Sequence, residues 1–330
     1  MSTRRGAAIV AALLFVWCAL PAELLAQSQG SKIDPGEAVR LRKDEADAKP
    51  YPQHRLVYSN LVALRFNPIG LENQLDLSYR YRLYDSAAPI LRESYLGVAF
   101  TPSVSPAIVR LGATLEFRPL SILYFSAGYY GASYFGLFNF TQDYRSPRAD
   151  HSDTALSDDD AISSLGQEAQ LRGQLLLKFG PIVVRNDLNG YWGRFDLEDP
   201  GATVYYNPRL DLLMPNNGWG LVNDSDVLYL GDGGLVLGLR STLSHAFYRD
   251  RDFLPGESTE NPNTPHWRVG PLVAYQLYDD PNATWFNRPT ILVIAQWWVD
   301  HRFRTGEDVS QAVPYFVAGL RFDHQLWSSP

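Results

Sequence analysis

The segment EAQLRGQLLLKFGPIVVRNDLNGYW, residues 168–192, alternates apolar and polar side chains on both sides of a central Gly180-Pro181 pair. One set of alternate positions carries Leu171, Leu175 and Leu177, and the opposite set carries Arg172 and Lys178. A period of two indicates β-strands, and Gly-Pro indicates a tight turn between them. A soluble sandwich would bury the leucines, whereas a membrane barrel would turn them towards lipid and enclose the charges. The fold therefore depends on which face is inside.

The same alternation recurs along the chain from His54 onwards. The alternating segments run about 11 to 14 residues, longer than ordinary strands and long enough to cross a bilayer at a tilt. Repeated around a sheet, this pattern predicts an all-β, transmembrane, antiparallel up-and-down β-barrel, because no strand edge can stay unpaired in hydrocarbon. A soluble secreted β-protein is the alternative that alternation alone leaves open.

We predict twelve strands, which lets both termini lie on the same side. The predicted crossings are residues 55–66, 73–84, 93–101, 107–118, 121–131, 168–179, 181–193, 219–231, 235–248, 267–278, 288–302 and 314–327. Residues 204–218 are assigned to an external loop, because only then do the tight connections and the long ones fall at opposite ends. The tight connections are 118–121, 179–181 and 231–234, on the periplasmic side, and the long ones are 132–166 and 250–266.

The N-terminus has the three parts of a secretory signal peptide. Arg4 and Arg5 are followed by an apolar run, and a small-residue processing site follows at Ala26. We expect residues 1–26 to be removed, residues 27–53 to form a charged, flexible periplasmic segment, and residues 54–330 to form the barrel. An uncleaved anchor is the alternative for the first segment.

Composition excludes several classes of function. The 330-residue chain has a net charge of -7 and no basic stretch that would follow phosphates, so we expect no nucleic-acid partner. Its one cysteine, Cys18, lies in the predicted signal peptide. The mature chain would then have no thiol for a disulfide, a zinc–thiolate site or cysteine catalysis. The 8 Trp and 19 Tyr suit the aromatic girdles of a membrane barrel.

The chain ends in AGLRFDHQLWSSP, residues 318–330, which resembles the closing strand of Gram-negative outer-membrane β-barrels. Gly319, Phe322 and Trp327 carry the resemblance, although His324 stands where an aromatic residue is usual. Together with the alternation, the resemblance covers residues 54–327. It implies an integral outer-membrane protein with periplasmic termini, surrounded by lipid and lipopolysaccharide and inserted by the barrel-assembly machinery.

The predicted inner face is rich in charges, with more basic than acidic groups. The basic residues are Arg65, Arg80, Arg82, Arg110, Arg118, Arg172, Lys178, Arg185, Arg240, Arg268, Arg302 and Arg321. The acidic residues are Asp76, Glu116, Glu168, Asp187, Asp224, Asp226, Asp300 and Asp323. Arginine predominates over lysine, which favours pairing with carboxylates or with anionic solutes. The sequence leaves open whether these charges line a channel or close the barrel by pairing with each other.

No set of residues has the spacing of a catalytic site. Ser241 and His245 share a face but are about 13 Å apart along an extended strand. The pairs Asp300-His301 and Asp323-His324 are predicted at opposite ends of the barrel, and each pair points to two faces. The acidic loop 143–164 lacks the spacing of a calcium-binding loop, so no metal and no cofactor are predicted.

Three functions follow, from different classes. The leading hypothesis is a narrow, porin-like outer-membrane channel with a preference for small anionic solutes, because bases outnumber acids on the inner face. The second is a non-conducting scaffold in a multi-protein envelope complex, such as polysaccharide export or surface attachment. The third, an outer-membrane hydrolase, lacks a catalytic constellation, so we predict that the protein is not an enzyme.

Overall fold

The computed structural model describes residues 49–137, 142–158, 161–263, 265–280, 286–306 and 312–329, with the side chain of residue 158 left out. The predicted signal peptide and most of the predicted flexible segment 27–53 lie outside these residues. Within them, no helix has the length and apolar character needed to cross a membrane.

Twelve antiparallel crossings form one closed barrel. Each pairs with its neighbour in the chain, and the first pairs with both the second and the last, which closes the sheet. The wall strands are β1 (His54–Phe66), β2 (Gly70–Arg82), β3 (Tyr95–Phe100) with its continuation β4 (Ser103–Val104), β5 (Ile108–Leu120), β6 (Leu123–Phe135), β8 (Ser163–Phe179), β9 (Ile182–Phe195), β12 (Gly218–Leu230), β13 (Leu235–Ala246), β14 (His266–Gln276), β15 (Thr290–Asp300) and β16 (Tyr315–Ser328). The predicted fold class and all twelve crossings are confirmed.

Three short strands lie outside the wall: β7 (Asp143–Tyr144), β10 (Val204–Asn207) and β11 (Leu212–Pro215). They form a separate three-stranded sheet in the order β11-β10-β7. The short helices are α1 (Pro89–Arg92) and α2 (Asp153–Asp158), and single 3₁₀ turns occupy Asp232–Gly234 and Asp250–Asp252.

The tight connections and the long connections lie largely at the barrel ends that the sequence predicts. We call the end of the barrel where β1 begins and β16 ends the terminal end, and the three predicted tight turns, after β5, β8 and β12, lie there. Two further short connections, 67–69 and 105–107, lie at the opposite end, and two longer ones, 83–94 and 277–289, lie at the terminal end. The rule that tight turns share one end therefore holds for the three named turns and not for the whole barrel.

The outer surface of the wall is apolar, which answers the question that residues 168–192 raise. Leu171 and Leu175 are 51% and 39% exposed, whereas Asp187 on the neighbouring strand is fully buried. Exposed Leu, Val, Phe and Tyr side chains alternate with buried ones on the other wall strands as well. Lipid is the solvent that favours such a surface, so this is the outer-membrane type of barrel that the sequence predicts.

The inner face is not polar throughout. Inward side chains from β8, β9, β12 to β16 and β1 form a packed apolar cluster that includes Leu176, Val183, Leu228, Leu272 and Ile294. These side chains fill part of the interior with hydrocarbon, and period-two alternation cannot reveal this because both faces of the strand are then apolar at those positions.

Residues 204–217 of the predicted external loop 204–218 lie outside the wall, whereas Gly218 is the first residue of β12; residues 204–215 are all buried. We call residues 204–215, which comprise β10, β11 and the turn between them, the plug. Its Tyr205, Leu212 and Met214 pack against inward residues of β5, β6, β9, β12 and β13. Its opposite face, with Tyr206 and Leu213, packs against the loop that carries α2. Because both faces of β10 and β11 are apolar, burial inside the mouth is more favourable than exposure to water.

Two inward glycines of the wall leave space for the plug. A Cβ atom on Gly193 would overlap the hydroxyl of Tyr205, and one on Gly220 would overlap the sulfur of Met214. The two side chains therefore approach the wall backbone directly. The plug fills the interior at the end opposite the terminal end.

Candidate functional site

A cavity of about 530 Å³ lies inside the barrel, along β1, β2, β3, β5, β6, β8 and β16. Seven arginines and five carboxylates are among its lining residues. The arginines are Arg55, Arg80, Arg110, Arg118, Arg172, Arg288 and Arg321, and the carboxylates are Asp76, Glu93, Glu116, Asp279 and Asp323. The cavity extends from residues near the terminal end of the wall to Arg110 and Tyr130, near the plug.

Tyrosine rings hold several of these guanidinium groups in place. The guanidinium carbon lies 4.1 Å from the ring centroid in the Arg55–Tyr51 pair, and 4.2 Å in the Arg110–Tyr130 pair. A third pair joins Arg80 to Tyr95 at 4.4 Å. Stacking on an aromatic face orients a guanidinium and leaves its edge N–H groups available for carboxylate or other acceptors.

Near the terminal end, most of the charged groups are paired. Arg80 Nε lies 3.5 Å from Glu116 Oε2, and Tyr124 donates to Glu116 Oε1 at 2.9 Å. Arg82 contacts Asp85 in the turn that follows β2, at 2.8 Å. Asp323 Oδ1 lies 2.5 Å from Arg288 Nη2, and Asp323 Oδ2 lies 3.8 Å from Arg321 Nη2.

Further along the wall, a belt of ion pairs crosses β8, β9, β12 and β13. Arg172 Nε donates to Asp187 at 2.8 Å. Asp226 accepts from two arginines, Arg185 and Arg240, each through Nε at 2.7 Å. Charge-assisted pairs of this geometry compensate for the water that the buried groups lose. The belt therefore fixes neighbouring strands to each other on the inner face.

Three inward arginines, Arg55, Arg65 and Arg268, have no carboxylate within 4 Å among the described residues, and Arg65 donates through Nε to the carbonyl of Pro68 at 2.9 Å. Arg55 stacks on Tyr51 and forms no ion pair there. Arg268 donates to Gln296 Oε1 at 3.1 Å and stacks on Tyr315 at 4.0 Å, again without a carboxylate within 4 Å. Lys178 lies on the inward face of β8 with Arg172 and is half-buried.

Asp300 and Arg302, two of the residues predicted to line the channel, do not lie on the inner face of the wall. Asp300 is the last residue of β15 and is exposed. Arg302 follows the strand and donates to the carbonyls of Pro147 and Arg148 at 3.2 and 2.7 Å, so it joins two loops. The register of β14 against β15 shifts at Trp267 and the strand then ends, which invalidates an alternation extended to residue 302.

The residues that hold the plug were mostly missed from the sequence. Glu168 of β8 contacts Arg110 Nε of the cavity wall at 2.5 Å and also pairs with Arg209 at the tip of the plug. Burial, followed by the nearby charge of Arg110, lowers the pKa of Arg209 to about 10. One carboxylate thus lies between two arginines, one from the wall and one from the plug.

A second anchor holds the other side of the tip. Asp211 pairs with Arg304, whose Nη2 donates to Oδ1 at 3.0 Å, and Arg304 also pairs with Asp153 at 3.0 Å. Burial opposes ionisation of Asp211, but Arg304 and the His301 hydrogen bond outweigh it and hold its pKa well below the usual range. Arg209, Asp211 and Arg304 lie in loops, where alternation predicts nothing.

The groups considered for catalysis are dispersed. Ser241 accepts from Trp267 Nε1 at 2.9 Å, and His245 packs on Phe247 at 4.6 Å between ring centroids. His301 lies by the plug, whereas His324 lines the cavity near the terminal end. Among the described residues, no group of three or more His, Cys, Asp or Glu residues has the geometry of a metal site. Of the acidic loop 143–164, residues 159–160 lie outside the described part.

Comparisons with known proteins match the fold only. No family model and no curated protein sequence matches the chain. Among solved structures, it is similar to the KdgM porin (9% identity, TM-score 0.36, covering 81% of this chain and 98% of the porin). It is also similar to an outer membrane channel from Pseudomonas putida F1 (11%, TM-score 0.38, 85% and 98%) and to the CymD monoaromatic hydrocarbon channel (9%, TM-score 0.36, 92% and 95%). These likenesses carry no information about a solute or a partner.

Proposed function

We propose that this barrel is a narrow passage for small anionic solutes across the outer membrane. The observation that carries the proposal is the cavity of about 530 Å³, where seven arginines face five carboxylates. Fixed positive charges in a low-dielectric, confined interior attract anions and repel cations. Among the described residues, Arg55 in the cavity has no carboxylate within 4 Å, and neither has Arg268, which lies on the inner face outside the cavity.

The proposal includes an orientation. The N-terminal and C-terminal ends of the wall would face the periplasm, and the plug would face the outside. This places the longest connections, such as 136–162 and 196–217, on the outer side, as is usual in barrels of this class. Outer-membrane lipid and lipopolysaccharide would then surround the apolar wall, and the barrel-assembly machinery would receive the chain after removal of residues 1–26.

The plug defines the resting state of the proposed passage. Its side chains fill the interior beyond Arg110, so solutes would pass only after it moves or loosens. The two ends of the plug are adjacent, because Asn216 N–H donates to the Thr203 carbonyl at 2.8 Å. Residues 204–215 can therefore be replaced by a short Gly-Ser linker without stretching the wall.

Planar-bilayer recordings of this plug-shortened variant test the proposal. We expect conductance steps and a reversal potential in a KCl gradient that indicates a preference for chloride. Adding R55Q and R268Q should decrease that preference, since each removes one fixed positive charge. R145Q is the matched control, because Arg145 is an exposed arginine paired with Asp199 in the loops and should leave the reversal potential unchanged. A folded variant without conductance would contradict the proposal.

The second candidate is a non-conducting scaffold in a multi-protein envelope complex. The paired belt and the buried plug favour it, because both would keep the interior shut. A silent plug-shortened barrel that co-purifies with a stoichiometric partner in mild detergent would support this candidate. Conductance of the shortened barrel without a partner would argue against it.

A further inference from the structure

Three buried histidines from separate parts of the chain meet beside the plug. His151 precedes α2, His266 is the first residue of β14, and His301 follows β15. Their exposed fractions are 3%, 1% and 2%. The ring centroids of His266 and His301 are 3.8 Å apart, and those of His151 and His301 are 6.5 Å apart. The cluster joins the wall to two of the loops that cover the plug.

The hydrogen bonds of His301 define its neutral form. The backbone N–H of Phe303 donates to His301 Nδ1 at 3.1 Å, so this nitrogen carries no proton. The proton therefore resides on Nε2, which donates to the carbonyl of Asp211 in the plug at 3.1 Å. Protonation of Nδ1 would remove the bond from Phe303 and place a charge on the ring stacked against His266.

Arginines outnumber carboxylates around the three rings. The loop of His151 contributes Asp150 and Asp153, the plug contributes Tyr206 and Asp211, the loop after β15 contributes Arg302 and Arg304, and the wall contributes Arg268 of β14 and Arg65 of β1. Asp211 is already engaged by Arg304 and by the Tyr206 hydroxyl. Asp153 is also engaged by Arg304. Three protonated rings would therefore face more positive charge than the nearby carboxylates neutralise.

We propose that His151, His266 and His301 form an acid-sensitive latch that holds the plug in the barrel at neutral pH and releases it when they become protonated. The latch goes beyond the proposed passage, because it concerns the position of the plug and not the solute. Each proton enters a buried cluster of stacked imidazoles, so repulsion separates the loops that meet there.

The direction of the pH dependence follows from the folded and unfolded states. Burial, only partly offset by Asp211, lowers the pKa of His151 to about 4. The released or unfolded loop has the ordinary histidine pKa of about 6.5 and binds the proton first. The contribution to stability is therefore complete above about pH 6.5 and decreases as the pH falls towards 4.

Protection of a cysteine in the plug measures the latch without any need for conductance. M214C places a thiol at a buried position in contact with the wall. The rate of labelling of this thiol by 4,4′-dithiodipyridine is measured between pH 7.5 and pH 4.5. This reagent also reacts with thiols in acid. Rates are divided by those of T259C, an exposed loop position, which removes the pH dependence of the thiol chemistry. We expect this ratio to rise about tenfold or more at the acidic end and to fall again on neutralisation.

Neutral substitutions separate the latch from general acid denaturation. The H151Q/H266Q/H301Q triple variant should keep the thiol protected at pH 4.5. Each single variant should move the labelling transition to lower pH. The single variants keep the test available if the triple variant does not fold. H245Q, which removes the half-buried His245 on the outward face of β13, should behave as the parent. Heat-modifiable gel mobility checks that each barrel is folded. A ratio that does not change with pH, or an unchanged transition in the histidine variants, would overturn the latch.

Discussion

At the scale of residues, the place of a charged side chain along a strand decides whether it faces the lumen or the lipid. Arg172 and Asp187 belong to neighbouring strands, and both point inwards, where they pair. Leu171, one position earlier, points outwards. A charge on the outer face would meet lipid, whereas on the inner face it meets a carboxylate of the next strand. Alternation is sufficient to predict these positions because the period of a strand is two.

Asp226 is the residue on which most of the belt depends. D226N would leave Arg185 and Arg240 buried without their shared carboxylate, although Asp224 lies 3.6 Å from Arg240. Breaking a buried pair by removing one partner costs about 3–5 kcal/mol, so we expect a decrease of that order in the free energy of unfolding. Urea titration in lipid vesicles measures it. The matched control D199N removes an exposed ion pair with Arg145 and should leave the free energy of unfolding unchanged. A D226N barrel as stable as the parent would show that the belt does not stabilise the fold.

At the scale of elements, the plug is the part of the structure that the sequence did not predict. Alternation located the wall strands and correctly kept residues 204–217 out of the wall. It assigned them to an external loop because nothing in a local pattern distinguishes a loop that folds inwards from one that extends outwards. The signals present were indirect: apolar residues on both faces of β10 and β11, and glycines at 193 and 220, where the wall makes room.

Glu168 holds the plug by pairing with both Arg110 and Arg209. In the E168Q variant the two arginines would face each other with less negative charge between them, so we expect the plug to loosen already at neutral pH. Labelling of M214C at pH 7.5 should be faster in E168Q than in the parent. R185Q is the matched control, because Arg185 is a wall residue as buried as Glu168 but does not contact the plug. In this variant Asp226 remains paired with Arg240. Equal labelling of E168Q and the parent would show that the plug is held by its apolar contacts alone.

At the scale of the whole molecule, the interior is divided into a basic cavity, an apolar cluster and a plug. The number of strands and the inward position of most of the charges followed from the sequence. Asp300 and Arg302 were misplaced because the strand ends where the pattern continues. The apolar inner cluster and the plug depend on contacts across the lumen, between residues far apart in the chain, and one sequence carries no signal of such contacts.

If the plug controls a passage through the charged interior, a covalent bond between plug and wall should close that passage. Met214 lies against the position that a Gly220 Cβ would occupy, so the M214C/G220C variant brings two thiols together between the plug and the wall. Mass spectrometry establishes whether the disulfide has formed in the purified barrel.

The decisive measurement is the conductance of this variant in a planar bilayer at pH 4.5, before and after reduction by a phosphine. We expect no conductance steps while the disulfide holds the plug, and anion-selective steps once the disulfide is reduced. Equal conductance in the oxidised and reduced states would contradict this expectation, as would a barrel that stays silent after reduction.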